Sequence, residues 1–275
     1  MSEPKAKVIA DSITDQSCYF PDIRLTTIEV VFHRYILAEF NTHRMFSRNS
    51  ASSRAIPLSK NIERVLTDPA IPWQYGTKKA GMQSGPPLVG ETALEADEIW
   101  LEAAQSAVEC ANALDALGVH KEVANRLLEP FLWQTVIVSS TEWDNFIAQR
   151  DSDLAQPEMH MTAQAIRLAL ENSVPNKLGP DDWHLPYMTE DEESLSIEDK
   201  RRISVARCCR VSYLNHGGTK SVSSDLELYD KLISADPPHW SPLEHVALPA
   251  GPEDFYGPEG NFEGWNQLRH MKEYQ

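Results

Sequence analysis

Cysteine is scarce in this 275-residue chain: Cys18, Cys110, Cys208 and Cys209 are all it has, and no two form a C-x-x-C pair. That is too few for a disulfide framework in so long a chain, and the spacing does not suit a structural zinc site. Long hydrophobic runs are also missing. Stretches such as Val136-Ile137-Val138 fall far short of the ~20 residues a helix needs to cross a bilayer. Residues 1–7 hold no apolar stretch of signal-peptide type, so the expectation is a cytoplasmic protein. Basic residues are outnumbered, 25 Lys and Arg against 41 Asp and Glu, which leaves a net charge of −16. Such a chain is not expected to bind nucleic acid through a general basic face, or to adsorb to an anionic membrane. The common catalytic templates are absent too: no G-x-S-x-G, no P-loop, no G-x-G-x-x-G and no H-E-x-x-H.

What is present suffices for a core. Hydrophobic residues make up 41%, which excludes a wholly disordered chain despite 18 prolines. Charge is unevenly spread. Residues 24–64 hold seven Lys and Arg against three acids, a local +4 interleaved with Asn and Ser, a composition that suits a compact anion such as a nucleotide phosphate. Residues 181–199 carry eight acids and no base, and read as a solvated loop. Residues 200–210 are basic, and read equally well as the solvent face of a helix or as part of a site.

Local patterns give a coarse outline. Residues 24–33 are β-branched and predict a strand. Residues 34–43 predict a short helix, 44–56 a loop or irregular strand, and 67–90, rich in Pro and Gly, a long loop. The clearest helix is 91–117, with Trp100, Ala103, Ala107, Ala111 and Leu114 as its apolar stripe, ending at Gly118. A shorter helix is expected at 119–128 and a buried strand at 132–140. Thr141 is placed to cap a helix running to Arg150, packed through Trp143, Phe146 and Ile147. Pro157 suits the first turn of a helix to about 172, with Met159, Ala163, Ile166 and Leu170 inward. Further helices are expected near 197–209 and 223–235. Residues 174–195 form a second long loop, the best candidate boundary, although a single domain over 1–275 is the favoured organisation.

Chemistry concentrates in residues 42–54, Thr-His-Arg-Met-Phe-Ser-Arg-Asn-Ser-Ala-Ser-Ser-Arg. This segment resembles the signature R-H-R-x-x-S-x-N-E-x-S-x-R-Y of the flavin-dependent thymidylate synthases, with His43, Arg44, Ser47, Asn49, Ser52 and Arg54 in register. Residues 145–158 resemble that family's N-F-L-x-L-R … A-Q-x-E segment. Residues 210–213 and 239–245 resemble its R-x-S-Y and H-x-[ST]-P-x-E-H segments. The last two normally come first, so the chain reads as circularly permuted, which requires residues near 24 and near 245 to be neighbours in space.

The resemblance implies an α/β (α+β) fold with a central mixed or antiparallel sheet flanked by helices, as one subunit of a homotetramer with sites at subunit interfaces. It implies reductive methylation of dUMP to dTMP, with FAD as cofactor and NADPH and methylenetetrahydrofolate as co-substrates. Ser52, Ser53 and Arg54 would then hold the nucleotide, with Glu39 and Arg126 beside it, and Arg150 would polarise the pyrimidine. Ser52, Arg54 and Arg150 are the candidate catalytic residues. His43, Arg44, Asn49, Asn145, Ser212, His239, Ser241 and Glu244 would contact FAD. Each has a plainer alternative: Asn145 could bridge a helix, Arg150 could pair with Asp151 or Asp153, and Ser212 could cap a helix end. His239, Glu244 and His245 could be read as metal ligands, but a pinned turn is the preferred reading and no metal is expected. Thr42, Ser50, Ala55, Ser139 and Thr141 depart from the family pattern, with two arginines lost. Each lost charge-assisted bond is worth about 1.5–3 kcal/mol. Either Lys78, Lys79 and Gln83 of the 67–90 loop and residues 201–210 compensate, or the reaction has shifted. The alternatives are hydroxymethylation of dUMP or dCMP on the same scaffold, a flavin- or nucleotide-binding protein without catalysis, and an acidic interaction protein.

Overall fold

Strand β4 (Trp133–Ser140) explains the architecture best. Every one of its residues is buried, as a strand covered on both faces requires. Val136 and Val138 point into one apolar cluster and Ile137 into another. The computed structural model describes residues 3–213, 221–252 and 260–273. Around β4 lie β1 (Lys5–Thr14), β2 (Arg24–His33), β3 (Ser47–Ser50) and β5 (Asn176–Leu178), in the order β3-β4-β2-β1-β5. The β1–β2, β2–β4 and β3–β4 pairs are antiparallel and β1–β5 is parallel. The fold is therefore mixed α/β, with a five-stranded mixed sheet flanked by helices.

One face of the sheet is covered by α5 (Asp144–Arg150) and α6 (Pro157–Glu171), which follow the short α1 (Leu37–Phe40) into the same cluster. Met159, Ala163 and Ile166 are fully buried there with Ile28, Val30 and Phe32 of β2, as the helical spacing predicts. The other face meets α7 (Ile197–Arg210) through Cys208. A third cluster joins α2 (Leu58–Thr67), α3 (Glu91–Ala116) and α4 (Lys121–Ala124) to the 3-10 turn Asn125–Phe131. In α3 the inward residues are Trp100, Ala104, Ala107, Val108, Ala111 and Leu114, whereas Ala103 is exposed. A fourth packs α7 against α8 (Val222–Ser234) and α9 (Leu268–Glu273). A small sheet of β6 (Ala247–Pro249) and β7 (Trp265–Gln267) completes the fold. No described helix is long and apolar enough to cross a membrane.

Several expectations change. Thr141 does not cap α5. The helix starts three residues later, the Asp144 N–H donates to the Glu142 carboxylate (3.1 Å), and the Thr141 hydroxyl instead accepts from the Glu263 N–H (3.0 Å). The helix expected at 119–128 is one turn of α4 followed by a 3-10 segment. The 67–90 stretch folds back on itself, with Thr77 N–H to Pro86 O (3.0 Å) and Leu88 N–H to Tyr75 O (2.8 Å). The acidic 181–199 stretch is not all solvated: Glu192 is buried against Arg207. The basic 200–210 run is likewise not all solvent face, because Arg207 is buried between Glu192 and Asp225.

Residues near 24 and near 245 are close, as a permuted order requires. Leu25 shares a cluster with Ala247, Phe262 and Trp265, and the Trp265 indole donates to the Ile23 carbonyl at 3.2 Å.

Candidate functional site

Strand β3 leaves the sheet at Ser50, and the chain turns into a loop at 52–56. Side chains from far along the sequence tie this loop back. The Asn125 amide donates to the Ser53 carbonyl (2.6 Å) and the Ile56 carbonyl (3.1 Å), and Lys121 Nζ donates to the Ala55 carbonyl (2.9 Å). The Ser52 N–H donates to the Ser212 carbonyl (3.1 Å). Among the described residues no acceptor meets the N–H of Ser53 or Arg54. Consecutive free N–H groups in a turn are anion binders.

Beside this loop lies a cleft of about 440 Å³, lined by Asn49, Ser52, Arg54, Ala55, His120, Glu122, Cys209, Ser212, His239, Ser241 and Pro242. Asn49 is its hub. The Asn49 amide nitrogen donates to the Cys208 carbonyl (2.7 Å), which turns its oxygen toward the hydroxyls of Ser212 (3.4 Å) and Ser241 (3.5 Å). One side chain thus joins segments that the sequence keeps 159 to 192 residues apart. Burial pushes the Cys209 thiol up to about 11, so it lines the cleft as a neutral group.

Six predicted residues meet here: Asn49, Ser52, Arg54, Ser212, His239 and Ser241. Others lie elsewhere in the single chain. Ser53 turns inward and donates to the Glu129 carboxylate (2.8 Å), which also accepts from Arg34 (2.9 Å) and Arg126 (2.7 Å). Glu39, His43 and Arg150 form a second group. Arg150 Nε donates to His43 Nε2 (3.0 Å), and its Nη1 pairs with Glu39 rather than with Asp151 or Asp153. Burial, then the charges of Arg150 and Arg48, push the His43 imidazole down, so it accepts as a neutral ring. His43 packs edge-on to Phe146 with centroids 4.9 Å apart. Arg44 and Asn145 are exposed, and Asn145 accepts from Gln149 one turn on, the plainer role considered for it. Glu244 pairs with Arg269 while His245 is buried against Ser139, so the two do not converge with His239.

The local positive charge is partly spent on structure. Arg24 pairs with Asp11, Arg34 with Glu129, and Arg64 donates to the Trp133 carbonyl. Lys78, Lys79 and Gln83 are exposed and do not line the cleft, and neither do residues 201–208. The contributors that sequence reasoning missed are His120 and Glu122. They lie outside the matched motifs, and their only signal is a polar turn after Gly118, whose φ of +79° ends α3.

A family profile described as thymidylate synthase complementing protein matches residues 24–176, more than half of the chain. The chain belongs to that family. Among solved structures it is similar to the UMP/dUMP methylase PolB from Streptomyces cacaoi. The form bound with 5-Br dUMP has a TM-score of 0.47 and 12% identity, covering 62% of this chain and 90% of that one. The form bound with 5-Br UMP has a TM-score of 0.46 and 12% identity, covering 62% and 89%. No curated protein matches.

Proposed function

We propose that this protein is a flavin-dependent enzyme that methylates dUMP at C5 to give dTMP. The observation that carries the reading is the Asn49 junction, where three motif blocks of the permuted order meet at one cleft. The donor set fits a flavin nucleotide beside a pyrimidine nucleotide. Asn49, Ser212 and Ser241 offer uncharged hydrogen bonds, and Ser52, Arg54 and the free N–H of Arg54 suit a phosphate. When bound, FAD supplies the redox chemistry, NADPH the electrons, and methylenetetrahydrofolate the carbon. The chain's own residues bind and orient. Arg54 and Ser52 hold the nucleotide phosphate, and Arg150, steered by His43 and Glu39, provides fixed positive charge for the pyrimidine. Arg150 does not line the cleft of its own chain. In a homotetramer with sites at subunit interfaces, the Glu39–His43–Arg150 group of one subunit would complete the cleft of another.

A second reading, hydroxymethylation of dUMP or dCMP, is favoured by one feature. The cleft wall at Ala55 is small and its rim residues His120 and Glu122 are exposed, so water reaches the site. Water rather than hydride would then quench the methylene carried on C5. Single-turnover reactions with dUMP and with dCMP, in the presence of FAD, NADPH and methylenetetrahydrofolate, separate the two by product mass. A methyl product from dUMP supports the first reading. A hydroxymethyl product replaces it with the second, and protein that takes up no FAD defeats both.

Arg54→Ala and Arg150→Ala are each expected to weaken dUMP binding by about 10–100-fold, the worth of a charge-assisted hydrogen bond. Calorimetric titration checks this, and unchanged affinity in both variants refutes the site assignment.

A further inference from the structure

Glu122 is the unexplained group in this cleft. A carboxylate beside an anion's binding site opposes the anion, so its place there calls for a reason. The turn that carries it is firmly placed: α3 ends at Gly118, and Lys121 clamps the turn to the Ala55 carbonyl. His120 Nδ1 accepts from the Glu122 N–H at 3.4 Å, which fixes the pair as a unit. Glu122 Oε2 lies 3.5 Å from Arg54 Nε and 3.9 Å from His120 Nδ1. Among the described residues the Glu122 carboxylate makes these two ion-pair contacts and accepts no hydrogen bond. The cleft therefore presents a guanidinium for an anion and, one group away, a carboxylate that can only accept.

We propose that Glu122 is a specificity-determining residue that accepts a hydrogen bond from the 3′-hydroxyl of a nucleoside 5′-monophosphate whose phosphate is held by Arg54 and Ser52. This rests on the nucleotide reading of the cleft. In such a ligand the 3′-hydroxyl and the phosphate are joined through three carbons, C3′, C4′ and C5′, and one ester oxygen, so one ligand reaches both groups. Carboxylates are effective acceptors for sugar hydroxyls, as in dinucleotide-binding folds. A hydroxyl–carboxylate bond belongs to the charge-assisted class and is lost outright when the hydroxyl is removed. Arg54, His120, His239 and Cys209 are the cationic or titratable groups that line the cleft with Glu122.

Calorimetry on the full-length protein with dUMP, 2′,3′-dideoxyuridine 5′-monophosphate and inorganic phosphate tests this. Wild type is expected to bind dUMP at least about tenfold more tightly than the dideoxy analogue. In Glu122→Ala that ratio falls to about one while inorganic phosphate binds no less tightly, and Glu122→Gln, which keeps a neutral acceptor, lies between. A wild type that does not discriminate, or an alanine variant that still does, overturns the proposal. So does an equal shift for all three ligands, which would mark Glu122 as a mere prop for Arg54. Absence of dUMP binding in wild type is a separate result, because it defeats the nucleotide reading on which the proposal stands.

Discussion

Asp225→Ala is expected to destabilise the protein by about 3–5 kcal/mol, the range for removing one partner of a buried ion pair. Asp225 is fully buried on α8 and accepts from Arg207 Nε (2.9 Å) and Arg210 Nε (2.8 Å) of α7. Arg207 also donates to the Glu192 carboxylate (2.7 Å) and the Tyr187 carbonyl (2.8 Å), so it cannot follow a new partner to solvent. Its hydrogen bonds come first among the causes that hold the Glu192 carboxyl down to about 2, against the cost of burial and with help from Thr189. Deleting Asp225 leaves a guanidinium desolvated and under-paired inside the protein. Against a typical stability of about 5–15 kcal/mol, such a loss is large. The matched control is Asp230→Ala, which removes the exposed partner of Arg202. Screened surface pairs contribute little, so about 0.5 kcal/mol or less is expected there. Urea unfolding of both variants at neutral pH decides, and equal shifts would sink the network account. The consequence is functional as well as structural. The end of α7 carries the Cys208 carbonyl that orients Asn49, and just beyond it lies the Ser212 carbonyl that holds Ser52. Loosening α7 from α8 loosens the cleft wall.

This network shows where sequence reasoning stops. Strand β4 and helices α3 and α6 were legible because one periodicity dominated each: an unbroken apolar run, or apolar residues every three to four positions. The 42–54 block was legible because its residue types fall at fixed spacing. Strand β1 was not. Lys5, Lys7, Asp11 and Ser12 dilute its pattern, and an irregularity between Val8 and Ala10 shifts its register partway along. Counting charges misled for a related reason. Arg24 and Arg34 are answered by Asp11 and by the distant Glu129, and Arg207 and Arg210 by Asp225 across a helix pair, pairings set by topology rather than by neighbours in sequence. Ser53 was misplaced likewise: adjacent to Ser52 and Arg54 in the motif, it is turned inward by Glu129, 76 residues away. Ser139, read only as a departure from the family pattern, is a link in a buried polar chain.

That chain yields the second large effect, on acid stability. Ser12 Oγ lies 2.8 Å from His184 Nδ1, His184 Nε2 lies 2.8 Å from Thr27 Oγ1, Thr27 Oγ1 lies 2.6 Å from Ser139 Oγ, and Ser139 Oγ lies 2.8 Å from His245 Nδ1. His245 Nε2 is buried without a partner among the described residues. Two proton assignments satisfy every link, one the reverse of the other, and the favoured one avoids an orphaned N–H on His245: His245 Nδ1–H donates to Ser139, Ser139 to Thr27, Thr27 to His184 Nε2, and His184 Nδ1–H to Ser12. Both imidazoles are then neutral, and His245 keeps a bare lone pair at Nε2, which costs less than an orphaned N–H. Burial pushes both rings down to about 3, with the His184 neighbour lowering His245 further and Asp11 partly offsetting the effect at His184. The unfolded histidines titrate near 6.5. Above that pH both states are neutral and the effect vanishes. Between about 6.5 and 3 the unfolded chain takes up protons that the folded chain refuses, so stability falls as pH falls. Each histidine costs about 1.4 kcal/mol per pH unit, so the pair removes about 4 kcal/mol by pH 5. His33 and His43, also pushed down by burial, act in the same direction. The Glu192 carboxylate, held down to about 2, keeps its stabilising contribution above its ordinary value of 4.5 and loses it as pH falls below that, which leaves a window for the histidines. Urea unfolding from pH 7.5 to 5 is expected to show a loss equivalent to two or more protons, reduced by one in His245→Gln. A stability flat across that window, or an unaltered slope in His245→Gln, would show that the buried chain is not held neutral.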